Sequence, residues 1–143
     1  MLPTNVFVES TSPAFLERIA AGRHSLQADE PCTAGGQDGG PSPYQFLLAA
    51  LGSCKAITLR MYAARTSWPL TGVCVNLSLA KVHADDAAAC ASEDRLIDSV
   101  EVEIRLIGEL SDEQRQRLLA IAEKCPVHRT LSSQVQIKTR LQS

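Results

Sequence analysis

The stretch Gly35-Gly36-Gln37-Asp38-Gly39-Gly40-Pro41-Ser42-Pro43-Tyr44-Gln45-Phe46-Leu47-Leu48-Ala49-Ala50-Leu51-Gly52-Ser53-Cys54 reads as a loop running into a capped helix, and the rest of the chain is organised around it. Four glycines within Thr33–Pro41 rule out regular structure there. Ser42 then stands at a helix N-cap, Pro43 at the first helical position and Gln45 three residues after the cap. That is a capping box with proline at its favoured site. The helix is predicted to run to about Arg65, where Thr66-Ser67-Trp68-Pro69 stops it. Leu47, Leu51, Cys54, Thr58 and Met61 recur near the helical period and predict a buried stripe, with Cys54 on or beside it.

Outward from this helix the pattern changes to period two. Val73, Val75, Leu77 and Leu79 alternate with Cys74, Asn76, Ser78 and Ala80. Val100, Val102, Ile104 and Leu106 alternate with Glu101, Glu103 and Arg105. Each run predicts a strand with one covered face. Asp85 to Asp94, between them, reads as a loop. A second capping box, Ser111 with Gln114, starts a second helix, whose expected apolar face is Leu118, Leu119, Ile121 and Ala122. Pro126 sets its end near Lys124. Val135, Ile137, Thr139 and Leu141 predict a final strand. At the N-terminal side, Val6 and Val8 alternate weakly, and Glu17 to Gln27 fits two short strands joined at Gly22. Blocks of strand and helix in this order predict an α+β fold with mainly antiparallel pairing, as one domain over residues 1–143.

The balance of 45% apolar and 21% charged residues argues against disorder, and a net charge of −2 supplies no field for nucleic acid. The N-terminal residues lack a signal-peptide pattern, and the run Phe46–Leu51 is too short to span a bilayer. The expectation is therefore a cytoplasmic protein with neither membrane nor nucleic acid as partner.

Five cysteines, Cys32, Cys54, Cys74, Cys90 and Cys125, cannot all pair within one chain, and none forms a CxxC motif. Cys125 precedes Pro126 and a short potential helix, with His128 and Arg129 close by. Free backbone N–H groups and nearby cations favour thiolate over thiol. A plainer reading has Cys125 ending a helix and packing as a small hydrophobe. Cys54, on an apolar stripe, taken alone reads more readily as core than as nucleophile. Lys55 and Arg60 are near it in sequence without necessarily sharing its face. Cys74 sits opposite the inferred core face, and Cys32 and Cys90 fall in expected loops, so these three read as incidental. His24, His83 and His128 show no zinc-like spacing with the cysteines, and no metal or cofactor is expected.

The quoted stretch resembles the segment before the first cysteine of the OsmC/Ohr family, in the subgroup described as OsmC-like predicted redox proteins. Ile121-Ala122-Glu123-Lys124-Cys125-Pro126-Val127-His128-Arg129-Thr130-Leu131 resembles the segment around the second. The likeness runs from about Gly22 to the end. It implies an intertwined homodimer of α+β subunits, with antiparallel sheets wrapped around long central helices. It implies a thiol peroxidase that reduces organic hydroperoxides, with Cys54 peroxidatic and Cys125 resolving. A dithiol system, lipoyl or thioredoxin-like, would return both thiols. The family's activating arginine would be Arg23, with Arg18 as the other candidate. The glutamate that holds that arginine is replaced, since its place is Tyr44, followed by Gln45. That departure favours a second reading, a non-catalytic dimer that senses redox state or binds a small apolar ligand, with Tyr44 and Gln45 as ligand-binding candidates.

Overall fold

The computed structural model describes residues 3–83 and 96–142. The expected loop Asp85–Asp94, and Cys90 with it, lies outside them. By its internal contacts the chain divides into two compact units, residues 1–49 and 50–143.

In the first unit, β1 (Phe7–Glu9), β2 (Glu17–Ala21) and β3 (His24–Ala28) form an antiparallel sheet in the order β1-β2-β3. β2 and β3 join through Gly22-Arg23, and Gly22 has φ of 60°, a left-handed conformation that glycine adopts without a Cβ penalty. A single 3-10 turn, Cys32–Ala34, stands where the sequence predicted only loop. The buried Asp29 organises the glycine-rich loop beyond it. Its carboxylate accepts N–H groups from Glu30 at 2.8 Å, Gly39 at 3.0 Å and Gln37 at 3.2 Å. The bond from Gly39 is the largest influence holding the Asp29 carboxyl below its ordinary value, while burial opposes it.

The long helix α1 (Pro43–Thr66) begins in the first unit and continues into the second. Its capping box is formed as expected, with Gln45 N–H donating to Ser42 Oγ at 3.3 Å and Ser42 N–H to Gln45 Oε1 at 2.8 Å. It ends where Ser67 turns left-handed (φ 56°) and Trp68 N–H reaches back to Ala63 O at 2.9 Å.

In the second unit, β4 (Leu70–His83) and β5 (Leu96–Gly108) pair antiparallel. Both predicted alternations hold: Val73, Val75, Leu77 and Leu79 on β4 and Val100, Val102, Ile104 and Leu106 on β5 take the half-covered face. α2 (Asp112–Ala122) carries its full capping box. α3 (Pro126–Leu131) follows, with Cys125 as N-cap. Leu59 of α1 forms the core with Leu118, Ile121 and Ala122 of α2, ringed by Tyr62, Trp68, Leu70, Val73, Ile104, Leu106 and Leu110. This is the α+β architecture with antiparallel pairing that the sequence predicts.

Three expectations are corrected. The buried line of α1 in this unit is Leu51, Gly52, Lys55, Leu59 and Ala63, whereas Leu47 and Met61 are exposed. α1 is apolar on most of its circumference, so periodicity selects no face. Contact selects it: a Cβ on Gly52 would come within 2.6 Å of Leu77 Cδ1 on β4. Leu119 is likewise exposed, leaving α2 to bury Leu118, Ile121 and Ala122. Val135–Leu141 forms no strand, and Val135, Ile137 and Leu141 are exposed. Alternation assigns side chains to faces but supplies no partner, and a strand exists only where its N–H and C=O groups find one. By length and composition α1 is also apolar enough to cross a membrane, a test that core helices pass too. Lys55, Leu59 and Ala63 of this helix are buried by protein.

Candidate active site

Cys54 sits half-buried in the middle of α1, and Cys125 is fully buried at the α2–α3 junction. The fold sets the Cys54 thiol close enough to Cys125 to raise its pKa, and neither cysteine is in a disulfide. Cys125 caps α3: the backbone N–H of His128 donates to its Sγ at 3.3 Å. The sequence context alone favours thiolate at Cys125, and burial works against it. Burial pushes the Cys125 thiol up, against the His128 N–H, which stabilises the anion. The adjacent Cys54 raises it further, and the Lys55 cation lowers it. Burial thus favours the thiol over the thiolate at Cys125.

The residue that sequence reasoning missed is Lys55. Only 1% of it is exposed. Its Nζ donates to Ala122 O at 2.8 Å, at the C-terminal end of α2, where an ammonium meets a carbonyl the helix leaves unfilled. It also lies 2.8 Å from His128 Nδ1 and 3.7 Å from Glu123 Oε1. Because the ammonium has only protons to give, Nδ1 is the acceptor and the neutral ring carries its proton on Nε2. Glu123 Oε2 lies 3.6 Å from that Nε2. A signal for Lys55 existed: it is the only charge between Pro43 and Leu59.

A cavity of about 220 Å³ opens beside His128, lined also by Leu51, Val100, Val102, Leu131 and Ser132. Its lining residues are apolar except for His128 and Ser132. Ser132 fixes the histidine backbone, donating to His128 O through both Oγ, at 2.7 Å, and its backbone N–H, at 3.0 Å.

The other predicted site residues belong to the unit of residues 1–49. Arg23 is exposed in the β2–β3 turn, as is Arg18 on β2. Tyr44 is exposed on the first turn of α1, and the Gln45 side chain is taken up by the capping box. Cys32 and Cys74 are exposed, and Arg105 Nη2 donates to Cys74 Sγ across the β4–β5 pair at 3.3 Å. Among the described residues no group of three or more His, Cys, Asp or Glu side chains is placed to hold a metal ion.

Residues 35–140 match the family model described as OsmC-like protein. Solved structures share the fold at low identity. An osmotic stress induced and detoxification response protein from Psychrobacter arcticus is 21% identical, over 90% of this chain and 88% of its own, with a TM-score of 0.68. The organic hydroperoxide resistance protein OsmC from Legionella pneumophila is 19% identical over 92% and 90%, TM-score 0.65. An OsmC-like protein from Mycoplasma pneumoniae is 14% identical over 91% and 87%, TM-score 0.70. No curated protein matches the chain.

Proposed function

This chain belongs to the OsmC-like protein family, and from that premise we propose that it is a thiol-dependent peroxidase that reduces organic hydroperoxides. The observation that supports the proposal most is the proximity of Cys54 and Cys125, with burial favouring the protonated form of Cys125. A peroxidatic cysteine attacks as thiolate, and a resolving cysteine must wait as thiol within reach of the sulfenic acid. Cys54, half-buried beside Cys125, suits the first role; the fully buried Cys125 suits the second. The apolar cavity beside His128 suits an alkyl or aryl hydroperoxide better than hydrogen peroxide. The working form on this proposal is a cytoplasmic homodimer, recycled by a lipoyl or thioredoxin-like dithiol. Arg23 remains a candidate for activating Cys54.

A second reading keeps the thiol pair without turnover, as a redox sensor or a binder of a small apolar ligand. Tyr44, at the place of the family's helix-start glutamate, favours it. The test is consumption of cumene or tert-butyl hydroperoxide with dihydrolipoamide as reductant, beside Cys54→Ser and Cys125→Ser. The peroxidase reading expects no consumption by Cys54→Ser. Cys125→Ser should give a single turnover followed by sulfenic and sulfinic acid. Full activity in Cys54→Ser would refute it; no activity in the reduced wild-type protein moves the weight to the second reading.

A further inference from the structure

Resting on the peroxidase reading, we infer that Lys55 and His128 form a proton relay that protonates the leaving oxygen of the hydroperoxide. Four observations carry this. The ammonium is buried and hydrogen-bonded straight to His128 Nδ1. That bond fixes the tautomer with the proton on Nε2. His128 lines the cavity, which lies between Leu51 of α1, one turn before Cys54 and Lys55, and α3, and at 3.6 Å from Glu123 Oε2 its Nε2–H is too far to be held in a hydrogen bond there. Lys55 and Cys54 are consecutive on α1, while Cys125 and His128 are joined through Sγ and N–H, so the thiol pair and the relay share both of their supports. Structural needs alone do not explain such a lysine. A leucine would fill the same seam without burying a charge, and breaking even with an ion inside protein requires every one of its partners.

The chemistry balances. The Cys54 thiolate attacks the terminal oxygen of ROOH, so the S–O bond forms as the O–O bond breaks. Sulfur gives up two electrons and the peroxide takes them. The departing RO oxygen takes the Nε2 proton of His128, and Nδ1 takes one from the Lys55 ammonium. The products are the Cys54 sulfenic acid, ROH, a neutral Lys55 amine and His128 in its other neutral tautomer. The Cys125 thiol then attacks the sulfenic sulfur, releasing water and leaving a disulfide. The dithiol reductant reduces that disulfide, becoming oxidised by two electrons. One of its protons stays on Cys125; the other returns through solvent to the Lys55–His128 pair as Cys54 leaves as thiolate.

His128 is the catalytic residue of this relay and Lys55 its positioning residue and proton source. The test exploits leaving groups. An alkoxide is a strong base and needs the proton, whereas the carboxylate released from a peracid does not. Oxidation of reduced Cys54 is followed by stopped flow with tert-butyl hydroperoxide and with peracetic acid, for wild type, His128→Asn and Lys55→Met. Asparagine keeps an acceptor for Lys55 but lacks the Nε2–H. The expected result is that the ratio of the alkyl hydroperoxide rate constant to the peracid rate constant falls by about 10²-fold in both variants, the usual worth of a general acid. Nitrogen-15 NMR of the His128 ring should show the Nε2–H tautomer in wild type, and an Nδ1–H ring there would overturn the relay. Equal losses on both peroxides, or none on the alkyl hydroperoxide, would overturn the relay while leaving the peroxidase reading intact. Absence of Cys54-dependent oxidation in wild type would remove both. His128→Asn decides the matter even if Lys55→Met does not fold.

Discussion

Leu59→Ala tests the packing that holds Lys55 in place. Leu59 is fully buried one turn after Lys55 on α1, against Leu118, Ile121 and Ala122. Ala122 also supplies the carbonyl that takes the Lys55 ammonium at 2.8 Å. Truncation removes the transfer energy of the lost carbons and leaves a cavity that a helix–helix seam closes only in part. Buried leucines lose about 2.7–5.0 kcal/mol on this change, and complete enclosure places Leu59 near about 3–4 kcal/mol. For a domain of this size that corresponds to a fall in Tm of roughly 10 °C. The assay is urea unfolding at fixed protein concentration, with Gln116→Ala on the exposed face of α2 as control. The control should stay within about 0.5 kcal/mol of wild type. A loss below about 1.5 kcal/mol for Leu59→Ala, less than any fully buried leucine should show, would mean that this seam is not the core of the unit.

Two further outcomes follow from titrating groups. Cys125 should react with iodoacetamide, read by mass spectrometry, with a half-point above the ordinary thiol value of 9.0, because burial raises it. Its folded value lies above its unfolded one, so its contribution to stability is present below pH 9.0 and lost as pH rises through the folded value; a half-point below pH 8 would contradict the assigned roles (roughly, given ordinary thiol behaviour). Asp29 has the opposite sign: its folded value lies below 3.8, so its contribution is present above that pH and disappears as pH falls through the folded value. Asp29→Asn should remove that acid-side dependence from the unfolding midpoint, and an unchanged acid limb would show that the carboxylate does not organise the Gly36–Gly39 loop.

What was legible in the sequence was local. Ser42 with Gln45 and Ser111 with Gln114 fixed both helix starts because a capping box is closed within four residues. The alternation on β4 and β5 was legible because a sheet face imposes period two on every residue it covers. The buried line of α1 was not, because it depends on which elements come against the helix, and Gly52 beside Leu77 is a contact between positions 25 apart in the chain. Val135–Leu141 failed for the same reason: the pattern of a strand was present, but pairing is a property of two segments. Cys54 and Cys125 were named through resemblance, whereas the Lys55–His128 bond, spanning 73 residues, had no local signature except an isolated charge in an apolar helix.

That isolated charge bears on how a thiol site can work without the carboxylate its relatives are expected to carry. A buried cysteine pair needs positive charge nearby, or burial drives both sulfurs toward the neutral form. An arginine held by a glutamate is the solution that the family resemblance implies, and position 44 here is a tyrosine. Lys55 supplies a cation from the same helix as Cys54, and its charge lowers the Cys125 value against burial. Its position is set by the backbone of α1 at one end and by the carbonyl of Ala122 at the other. The price is flexibility of the ammonium stem, and burial to 1% exposure removes it. In this arrangement the cation acts on Cys125 through space and on the cavity through the His128 ring. On the proposed mechanism one side chain thus biases both the Cys125 thiol and the His128 proton. Separating those two effects requires a substrate whose leaving group ignores the proton, which is why the peracid comparison discriminates where a simple loss of activity would not.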